Sequence, residues 1–576
     1  MHKISGGSLS LRIGEGKISV CLSGVSLLSA PEPLFVLRDH QGHEYVSSGF
    51  RERAIQEDHL LTLGYAYSDF EFEVRILSDE KGIRFSLFGR AYWQEEAPEP
   101  VTLNLPWLGA LSLPGAEVRY PGNCVQKADG QTALQHKGMV YPPYSMIRAD
   151  GVGLAVFFPL PAADLSWDSC RNQELCTAAS PQAMSGHQLH LRLMGYPNLF
   201  FDAELRPLNN GWDECFALVK ARVRADMDFS TLNRPDLKWI RECSLVHFAY
   251  AFGSEFLDPE TQLPDMQRLL KQGEAFGGYD AVILWHEYPR LGVDERTQWD
   301  LFTDYPGGIA HLREMADQAH AAGTRIIIPF KPWDRSPQEN DHQTAERIAK
   351  LIGFIDADGI FFDTMNTVPV LLRQAVDRVK PGVVFMVESE PVTQASIEHV
   401  SCAWNQYHTD PSMPECNFLR FLIPEMQRFA IARWHTGRQK DMAVERAVFN
   451  GEGMVIWQDV FGCWLPYTQA QKAKVRAWKE LHRKYGHIFR TVDAVPLLAV
   501  RSGMYANAFY HRDEALITLF NDTEQDIQGE LMDVGPYSQA EEVRIGMDVR
   551  VSEGRLSGTL QPGRTALVYL KREGEA

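Results

Sequence analysis

Residues 357–366 read ADGIFFDTMN, and this stretch decides how the middle of the chain is interpreted. Its apolar run, from Gly359 to Phe362, has the length and composition of a buried parallel strand. The run ends on a carboxylate, Asp363, and Asn366 follows. In a barrel of parallel strands the chemistry lies where the strands end, so an acid at this point indicates a functional site.

Strands of the same kind recur on both sides of this stretch. Apolar runs alternate with helical patterns, which fall at 264–276, 307–322, 341–354, 367–379, 416–430, 440–449 and 469–485. We expect the strands to end near Tyr250, Trp285, Phe330, Asp363, Glu388–Glu390, Trp404, Trp434 and Trp457. Eight such units in residues 236–490 predict a TIM (β/α)8 barrel, which typically takes about 250 residues.

The two flanks of the barrel have a different pattern. Residues 1–235 contain short alternating runs such as HLLTL (59–63) and FEFEVRI (70–76), separated by turn residues. Alternation of this kind returns in residues 491–576, for example in ALITLF (515–520). The sequence therefore predicts a multidomain protein, with an N-terminal β-sandwich, a central barrel and a C-terminal β-sandwich.

The bulk composition excludes several classes of partner. The chain has 576 residues and a formal net charge of −18, which disfavours nucleic acid and anionic membrane surfaces. It contains no phosphate-binding loop, no dinucleotide fingerprint after a strand and no HExxH pattern. We expect a small oligosaccharide or glycoside as substrate, with no cofactor and no metal.

The cysteines and the N-terminal residues are the features that indicate the cellular location of the protein. The nine cysteines form no zinc or disulfide pattern. The first residues lack the apolar core of a signal peptide, and no run of 18 apolar residues occurs. These features predict a cytoplasmic protein. The sequence does not decide the oligomeric state, and a homo-oligomer stays open.

Two neighbouring strands of the predicted barrel end in acids. Asp363 ends the fourth, and the fifth runs into Glu388-Ser389-Glu390, whose two glutamates share a face. Adjacent strands lie about 4.8 Å apart, and carboxyl groups about 5–5.5 Å apart suit a retaining glycosidase. A single strand-end acid is usually a solvated group or a structural ion pair. Two in succession favour a catalytic pair.

The other predicted strand ends combine tryptophan with polar groups. Tryptophan faces stack on sugar rings, while acids, amides and lysines bond to sugar hydroxyls. A lone tryptophan is more often part of a core, and two or three of these could fill the barrel. The predicted substrate-binding residues are Trp285, His286, Lys331, Trp333, Asp334, Trp404, Asn405, Trp457, Gln458 and Asp459.

The segment DGIFFDTMN (358–366) resembles the nucleophile segment of retaining α-glycosidases. The resemblance is to glycoside hydrolase family 31 and the related α-galactosidase clan, whose fourth barrel strand ends in a DxN-like motif. It implies that Asp363 is the nucleophile. The run from Trp285 to Asp334 looks like the second and third β/α units of that group, and the predicted domain order is also similar to theirs.

The strand that carries the predicted acid/base residue differs from the one used in that group. Its members carry the acid/base on the sixth strand, whereas the clearest acid here lies on the fifth, in MVESEP (386–391). This looks more like the endo-α-N-acetylgalactosaminidase and α-amylase groups, in which a strand-four Asp pairs with a strand-five Glu. Glu390 is the first candidate, because it lies nearer the pocket mouth and precedes the rigid Pro391. Glu388 is second and Asp410 third.

The sequence thus predicts a retaining exo-acting α-glycosidase that works through a covalent glycosyl-enzyme. The preference for α-linkages is implied by the resemblance alone. Two alternatives stay open: a non-catalytic carbohydrate-binding protein on a hydrolase scaffold, and an inverting glycosidase or transglycosidase that uses the same residues. A matched pair of acids favours an enzyme, since binding alone needs no such pair.

Overall fold

A computed structural model describes the chain as two compact units. Among the described residues, the first unit holds everything up to Arg222 and the second holds everything from Val223. The described residues are 1–38, 41–67, 70–91, 101–109, 111, 117–120, 124–127, 144–149, 152–157, 187–191, 198–208, 212–225, 227–251, 253–286, 296–388, 394–407, 416–432, 437–460, 463–498, 500–501 and 503–572.

The first unit is built from antiparallel strands around one apolar core. Alternation along FEFEVRI buries Phe72, Val74 and Ile76 and turns the intervening polar side chains outward, as a half-buried strand requires. A five-stranded sheet contains His2–Gly6, Leu9–Gly14, Lys17–Leu22, Val25–Ser26 and Glu32–Pro33. A four-stranded sheet contains Val36–Arg38, Glu44–Val46, Val101–Leu105 and His187–Leu191.

The largest sheet of this unit has nine strands. They are Arg51–Gln56, Leu60–Tyr67, Phe70–Ser78, Ile83–Ala91, Glu117–Tyr120, Cys124–Lys127, Tyr144–Ala149, Val152–Phe157 and Asn198–Leu208. Short helices occur at Ser47–Gly49 and Pro106–Gly109, and the longer helix Trp212–Ala225 contains the boundary between the two units. The predicted β-rich N-terminal region is confirmed.

Eight parallel strands close into a barrel in the second unit. In order they are Leu245–Tyr250, Ala281–Trp285, Arg325–Phe330, Gly359–Phe362, Val384–Val387, Cys402–Tyr407, Gln427–Ala432 and Gly453–Trp457, and they are numbered one to eight below. Their paired residues close round the barrel with a net stagger of eight residues, the shear of a TIM barrel. The predicted barrel is confirmed.

Helices precede strand one, connect the strands of the barrel and follow strand eight. They are Pro235–Leu237, Trp239–Glu242, Met266–Gly273, Glu274–Phe276, Gln298–Thr303, Gly308–Ala321, Asp341–Ile355, Val370–Val379, Gln394–His399, Phe418–Leu422, Gly437–Asn450, Gln469–Lys484 and Gly486–Phe489. The predicted helix over 416–430 is wrong. Only its first part is helical, because Pro424 cannot continue the helix, and strand seven begins at Gln427.

Aromatic rings fill the barrel interior. The ring of Phe248 in strand one lies 5.1 Å from that of Trp285, 5.6 Å from that of Trp404 and 4.8 Å from that of Trp457. Trp404 also stacks on Phe361, with centroids 4.3 Å apart. Strand six contains Trp404, near which the sequence predicted its end, and continues for three residues beyond it.

The C-terminal region is a β-sandwich with one core between its two sheets. The five-stranded sheet contains Ala494–Val495, Met504–His511, Glu514–Asn521, Gln539–Glu542 and Thr565–Lys571, and the three-stranded sheet contains Ile527–Asp533, Val549–Ser552 and Arg555–Leu560. Arg544 binds Glu445 of a barrel helix with two contacts of 2.7 Å. The Phe449 carbonyl accepts hydrogen bonds from Asn507 and Thr518, so the sandwich is anchored to the barrel.

Candidate active site

Asp363 lies at the carboxyl end of strand four. Phe361, two residues earlier, belongs to the core inside the barrel, and side chains alternate along a strand, so Asp363 also faces inward. The Asp363 amide donates to the Phe330 carbonyl at 2.9 Å, which extends the pairing with strand three by one residue. The residue is only 4% exposed. The acid therefore lies over the barrel interior at the end where TIM barrels place their chemistry.

Glu388 follows strand five at the same level. Its amide donates to the Phe362 carbonyl at 3.1 Å, and it shares its face with Met386, which lies in the barrel core. One carboxylate oxygen, Oε2, accepts a hydrogen bond from the Thr364 amide at 2.7 Å. Two acids thus lie on neighbouring strands, and Glu388 is bonded to the residue that follows Asp363.

Thr364 turns the chain sharply after Asp363. Its φ of 58° is left-handed, a conformation that β-branched residues rarely adopt. Its hydroxyl Oγ1 donates to the Asp363 carbonyl at 2.7 Å. Such backbone strain persists only where the surroundings fix it, and it concentrates at functional sites. Nothing in the sequence signals this conformation, because threonine is not a typical residue for it.

Lys331 follows strand three, next to the end of strand four, and is fully buried. Ile327 lies in the barrel core, so alternation gives Lys331 the same inward face. The Lys331 Nζ lies 3.3 Å from Nδ1 of His286 and 4.7 Å from the centre of the Trp285 ring. The structure therefore brings together three residues that the sequence predicted, at the end of the barrel that carries Asp363.

Gln298 fixes the loop after strand three. Its Nε2 donates to the carbonyls of Lys331 at 2.6 Å and Asp334 at 2.8 Å, while its Oε1 accepts the Lys331 amide at 2.8 Å. Burial raises the pKa of Asp334 above its ordinary value, against the pull of the Lys331 ammonium. Trp333, between them, is half-buried. No pattern in the sequence indicates that Gln298 holds this loop. The residue is the first of a helix whose N-cap is Thr297.

Gln458 follows strand eight, and its side chain is held by hydrogen bonds within the protein. Its Nε2 donates to Glu255 Oε2 at 2.8 Å, and its Oε1 accepts the Tyr467 amide at 3.1 Å. Glu255 in turn bonds to His247 at 3.0 Å. Both ends of the Gln458 amide are therefore engaged inside the protein. This arrangement gives no support to the predicted contact between Gln458 and a sugar.

Three of the predicted tryptophans lie inside the barrel. Trp285, Trp404 and Trp457 are 1%, 2% and 6% exposed, so they fill the interior below the mouth. Asp459 is buried as well, and its carbonyl accepts a hydrogen bond from the Trp457 indole at 2.6 Å. Glu390, Asp410 and the side chain of Asn405 lie outside the described residues.

An acidic cluster lies at the opposite, amino end of the barrel. Asp317, His320 and Asp356 are close enough to hold a metal ion together. Cations already neutralise it, however, because Lys380 pairs with Asp356 at 2.8 Å and Arg313 pairs with Asp317 at 2.9 Å. The chemistry of this group is that of an ion-pair network.

Comparison with known proteins identifies the fold. No protein-family model matches the chain, and no curated protein matches its sequence. The solved structure of the α-N-acetylgalactosaminidase NagBb from Bifidobacterium bifidum has a TM-score of 0.60 at 12% identity, covering 91% of this chain and 98% of that one. A β-arabinopyranosidase has a TM-score of 0.51 at 9% identity, covering 99% and 100%. The chain therefore shares the fold of these two glycosidases over nearly its whole length.

Proposed function

We propose that this chain is a glycoside hydrolase, and specifically a retaining exo-acting α-glycosidase. The observation that carries the proposal is the placement of Asp363 and Glu388 on neighbouring strands, facing inward at the carboxyl end of a TIM barrel. The fold shared with an α-N-acetylgalactosaminidase and a β-arabinopyranosidase supports the class of enzyme. The choice of α-linkages comes from the resemblance of the Asp363 segment.

The reaction proceeds in two steps. Asp363 attacks the anomeric carbon, the bond to the leaving oxygen breaks, and an acid donates a proton to that oxygen. The same group then removes a proton from water, which attacks the anomeric carbon and releases Asp363. Glu390 is our first candidate for this acid/base from the sequence, Glu388 is the second and Asp410 is the third.

Polar groups next to Asp363 hold the sugar in this proposal. Lys331 and His286 form a buried pair beside the mouth, and Gln298 fixes the backbone from which Lys331 and Asp334 extend. Such pre-positioned groups bind hydroxyls without reordering the loop. The half-buried Trp333 supplies an aromatic face. The buried tryptophans support the floor of the pocket from inside the barrel.

The test is an NMR-monitored hydrolysis screen with Asp363→Ala as control. It covers paired α- and β-aryl glycosides of glucose, galactose, N-acetylgalactosamine, xylose and arabinopyranose. We expect turnover of an α-glycoside with the α-anomer released first, and loss of several orders of magnitude in the variant. Release of the opposite anomer indicates inversion. Sugar binding by calorimetry without turnover of any substrate indicates a binding protein.

A further inference from the structure

We infer that Trp464 and Asp459 form the binding site for the sugar on the leaving-group side of the scissile bond. The natural substrate is then an α-linked disaccharide or oligosaccharide, and its leaving group is itself a sugar. The inference rests on the proposed function and deepens it, because it names the chemistry of the leaving group. Trp464 has no part in the site described above.

The two residues lie opposite each other in a small sheet that follows strand eight. Asp459–Val460 pairs with Cys463–Trp464 in antiparallel fashion, and the register places Asp459 directly across from Trp464. Residues opposite each other in such a pair project from the same face, with Cβ atoms about 4.5–5.5 Å apart. An indole ring therefore lies beside a carboxylate. Sugars are bound by this combination, because the ring stacks on their apolar face while the acid accepts their hydroxyls.

The small sheet lies at the carboxyl end of the barrel. The indole of Trp457, inside the barrel, donates to the Asp459 carbonyl at 2.6 Å. The Oδ2 atom of Asp459 lies 3.2 Å from the position that a Cβ on Gly253, just after strand one, would take. Strand eight is separated from strand four by three strands on either side. The sheet is thus at the same end of the barrel as Asp363, across the mouth from it.

Trp464 differs from the tryptophans of the barrel strands in its exposure to solvent. Its exposed fraction is 45%, whereas Trp285, Trp404 and Trp457 are buried in the interior. A sugar ring that covers the Trp464 indole removes apolar surface from water, which is a main source of affinity in sugar sites. Asp459 is buried beside it, and this restricts the directions from which a hydroxyl can reach the carboxylate.

The chain that follows Trp464 is fixed before any sugar binds. The Leu465 amide donates to the Gln458 carbonyl at 2.8 Å, and the Leu465 carbonyl accepts a hydrogen bond from the buried Lys440 ammonium. The Tyr467 amide donates to the Gln458 side chain at 3.1 Å. A ring held by an ordered backbone loses little conformational freedom on binding, so more of the contact energy appears as affinity.

The position across the mouth assigns this site to the leaving group. In the proposed function Asp363 attacks the anomeric carbon of the terminal sugar, and an exo-acting enzyme has no further sugar on the non-reducing side of that unit. A second sugar in the mouth can therefore belong only to the other side of the scissile bond. Trp464 and Asp459 contact that sugar in the inference.

The primary experiment compares two substrates that share the terminal sugar found in the hydrolysis screen. One is its α-fluoride, which has no sugar as leaving group, and the other is the best disaccharide with that sugar α-linked to glucose or galactose. In Trp464→Ala, kcat/KM for the disaccharide should fall at least about ten-fold, while kcat/KM for the fluoride should change less than about two-fold. Trp464→Phe keeps an aromatic face and should stay within about three-fold of wild type on both.

A matched control makes the same kind of change away from the mouth. Phe354 is an exposed aromatic residue of the helix before strand four, and Phe354→Ala should leave both substrates unaffected. Asp459→Asn should raise KM for the disaccharide at least about three-fold and spare the fluoride, because a hydroxyl bonds less strongly to an amide than to a carboxylate. Equal losses on the two substrates in Trp464→Ala, or hydrolysis of the fluoride but of no disaccharide, overturn the inference and leave the proposed function standing.

A binding measurement separates this inference from failure of the proposed function. Calorimetry on Asp363→Ala, which cannot turn over the sugars, gives the Kd of each disaccharide and of the matching α-methyl glycoside. Adding Trp464→Ala should weaken disaccharide binding at least about ten-fold and leave methyl glycoside binding unchanged. The same selective loss in a protein without hydrolase activity means that the proposed function is wrong and the sugar site is right. Unchanged disaccharide binding, or binding of no sugar, overturns the inference.

Discussion

The fourth barrel strand has an aspartate at each end, and the surroundings of the two differ. Asp358, before the strand, accepts the Ile326 amide at 2.9 Å and pairs with His320 at 2.7 Å and Arg325 at 3.1 Å. Asp363, after the strand, faces inward over the barrel. In TIM barrels the amino end is where residues contribute stability and the carboxyl end is where they carry chemistry. Residue type alone does not distinguish these two acids.

At the amino end of the barrel, two acids, Asp358 and Asp280, bind backbone amides of the preceding strand region. Burial opposes ionisation of Asp358, but the Ile326 amide and the charges of Lys380 and His320 outweigh it and lower the pKa of Asp358 below its ordinary value. Asp280, before strand two, accepts the amides of Ser244 and Leu245 at 2.8 and 2.9 Å. Before strands two and four, an acid thus binds amides at the start of the preceding strand, which need partners where the strand begins.

The largest effect we predict is on activity, at the carboxyl end. Asp363→Asn removes the nucleophile while keeping the shape of the side chain, so kcat/KM should fall by about 10⁴-fold or more. The melting temperature should stay within about 2 °C of wild type. Asp358→Asn is the matched control, since it makes the same chemical change at the other end of the strand and should keep its activity. Comparable activity loss in both variants contradicts the division between the two ends.

The second effect is on stability, at the amino end. Asp358 is only 3% exposed, and replacing it by asparagine leaves His320 and Arg325 without their carboxylate. Breaking a buried ion pair from one side typically costs about 3–5 kcal/mol, and we expect about 2–4 kcal/mol here because Arg325 is partly solvated. Urea unfolding at pH 7 measures this loss of unfolding free energy. An unchanged midpoint contradicts the stabilising role of this acid.

The third effect depends on pH and also concerns the amino end. Burial, together with the charges of Arg420 and Arg490, lowers the pKa of His482 to about 3, and its Nδ1 bonds to the Ser244 hydroxyl at 2.8 Å. The unfolded chain takes up this proton near pH 6.5 and the folded chain does not. The stabilising contribution is therefore complete above about pH 6.5 and is lost as the pH falls toward 3.

The variant His482→Asn separates the contribution of His482 from that of the other groups that change the unfolding free energy at acid pH. The loss at His482 amounts to about 2 kcal/mol at pH 5. His482→Asn keeps a polar atom near Nδ1 but does not titrate in this range. The difference in unfolding free energy between wild type and variant should therefore shrink by about 2 kcal/mol between pH 7.5 and pH 5. A difference that stays constant over that range shows that His482 is not the titrating group.

The barrel was predictable because its signals are local. Apolar runs of strand length alternate with amphipathic helices, and Pro306-Gly307-Gly308 and Gly323 mark the ends of one helix. The proximity of Asp363 and Glu388 was predictable too, because consecutive strands of a parallel barrel are neighbours. These inferences need only the order of the elements and the two-residue period of a strand.

The remaining features depend on geometry that no local pattern contains. Whether Trp285 or Trp404 lies in the mouth or below it depends on the stagger between strands, which is set by closure of the whole barrel. The bonds of Gln298 join segments more than 30 residues apart. The left-handed turn at Thr364 depends on an acceptor from the next strand. Each of these requires tertiary contacts.

The smallest effect we predict concerns Asp280. It tests whether binding of backbone amides by an acid stabilises this second position at the amino end as well. Asp280 binds two amides as Asp358 binds one, but its side chain is 31% exposed, and its ion pair with Lys479 at 2.8 Å is reached by water. Solvent screening makes such pairs worth little, so Asp280→Ala should cost about 1–2 kcal/mol, mostly for the two amides. Lys479→Met, the matched control, leaves both amide contacts of Asp280 in place. It removes the ion pair and the hydrogen bond from Lys479 Nζ to the Gly278 carbonyl at 2.7 Å, and it should cost less than about 1 kcal/mol. If Lys479→Met costs as much as Asp280→Ala, the ion pair stabilises this end of strand one, and amide binding is not the shared device.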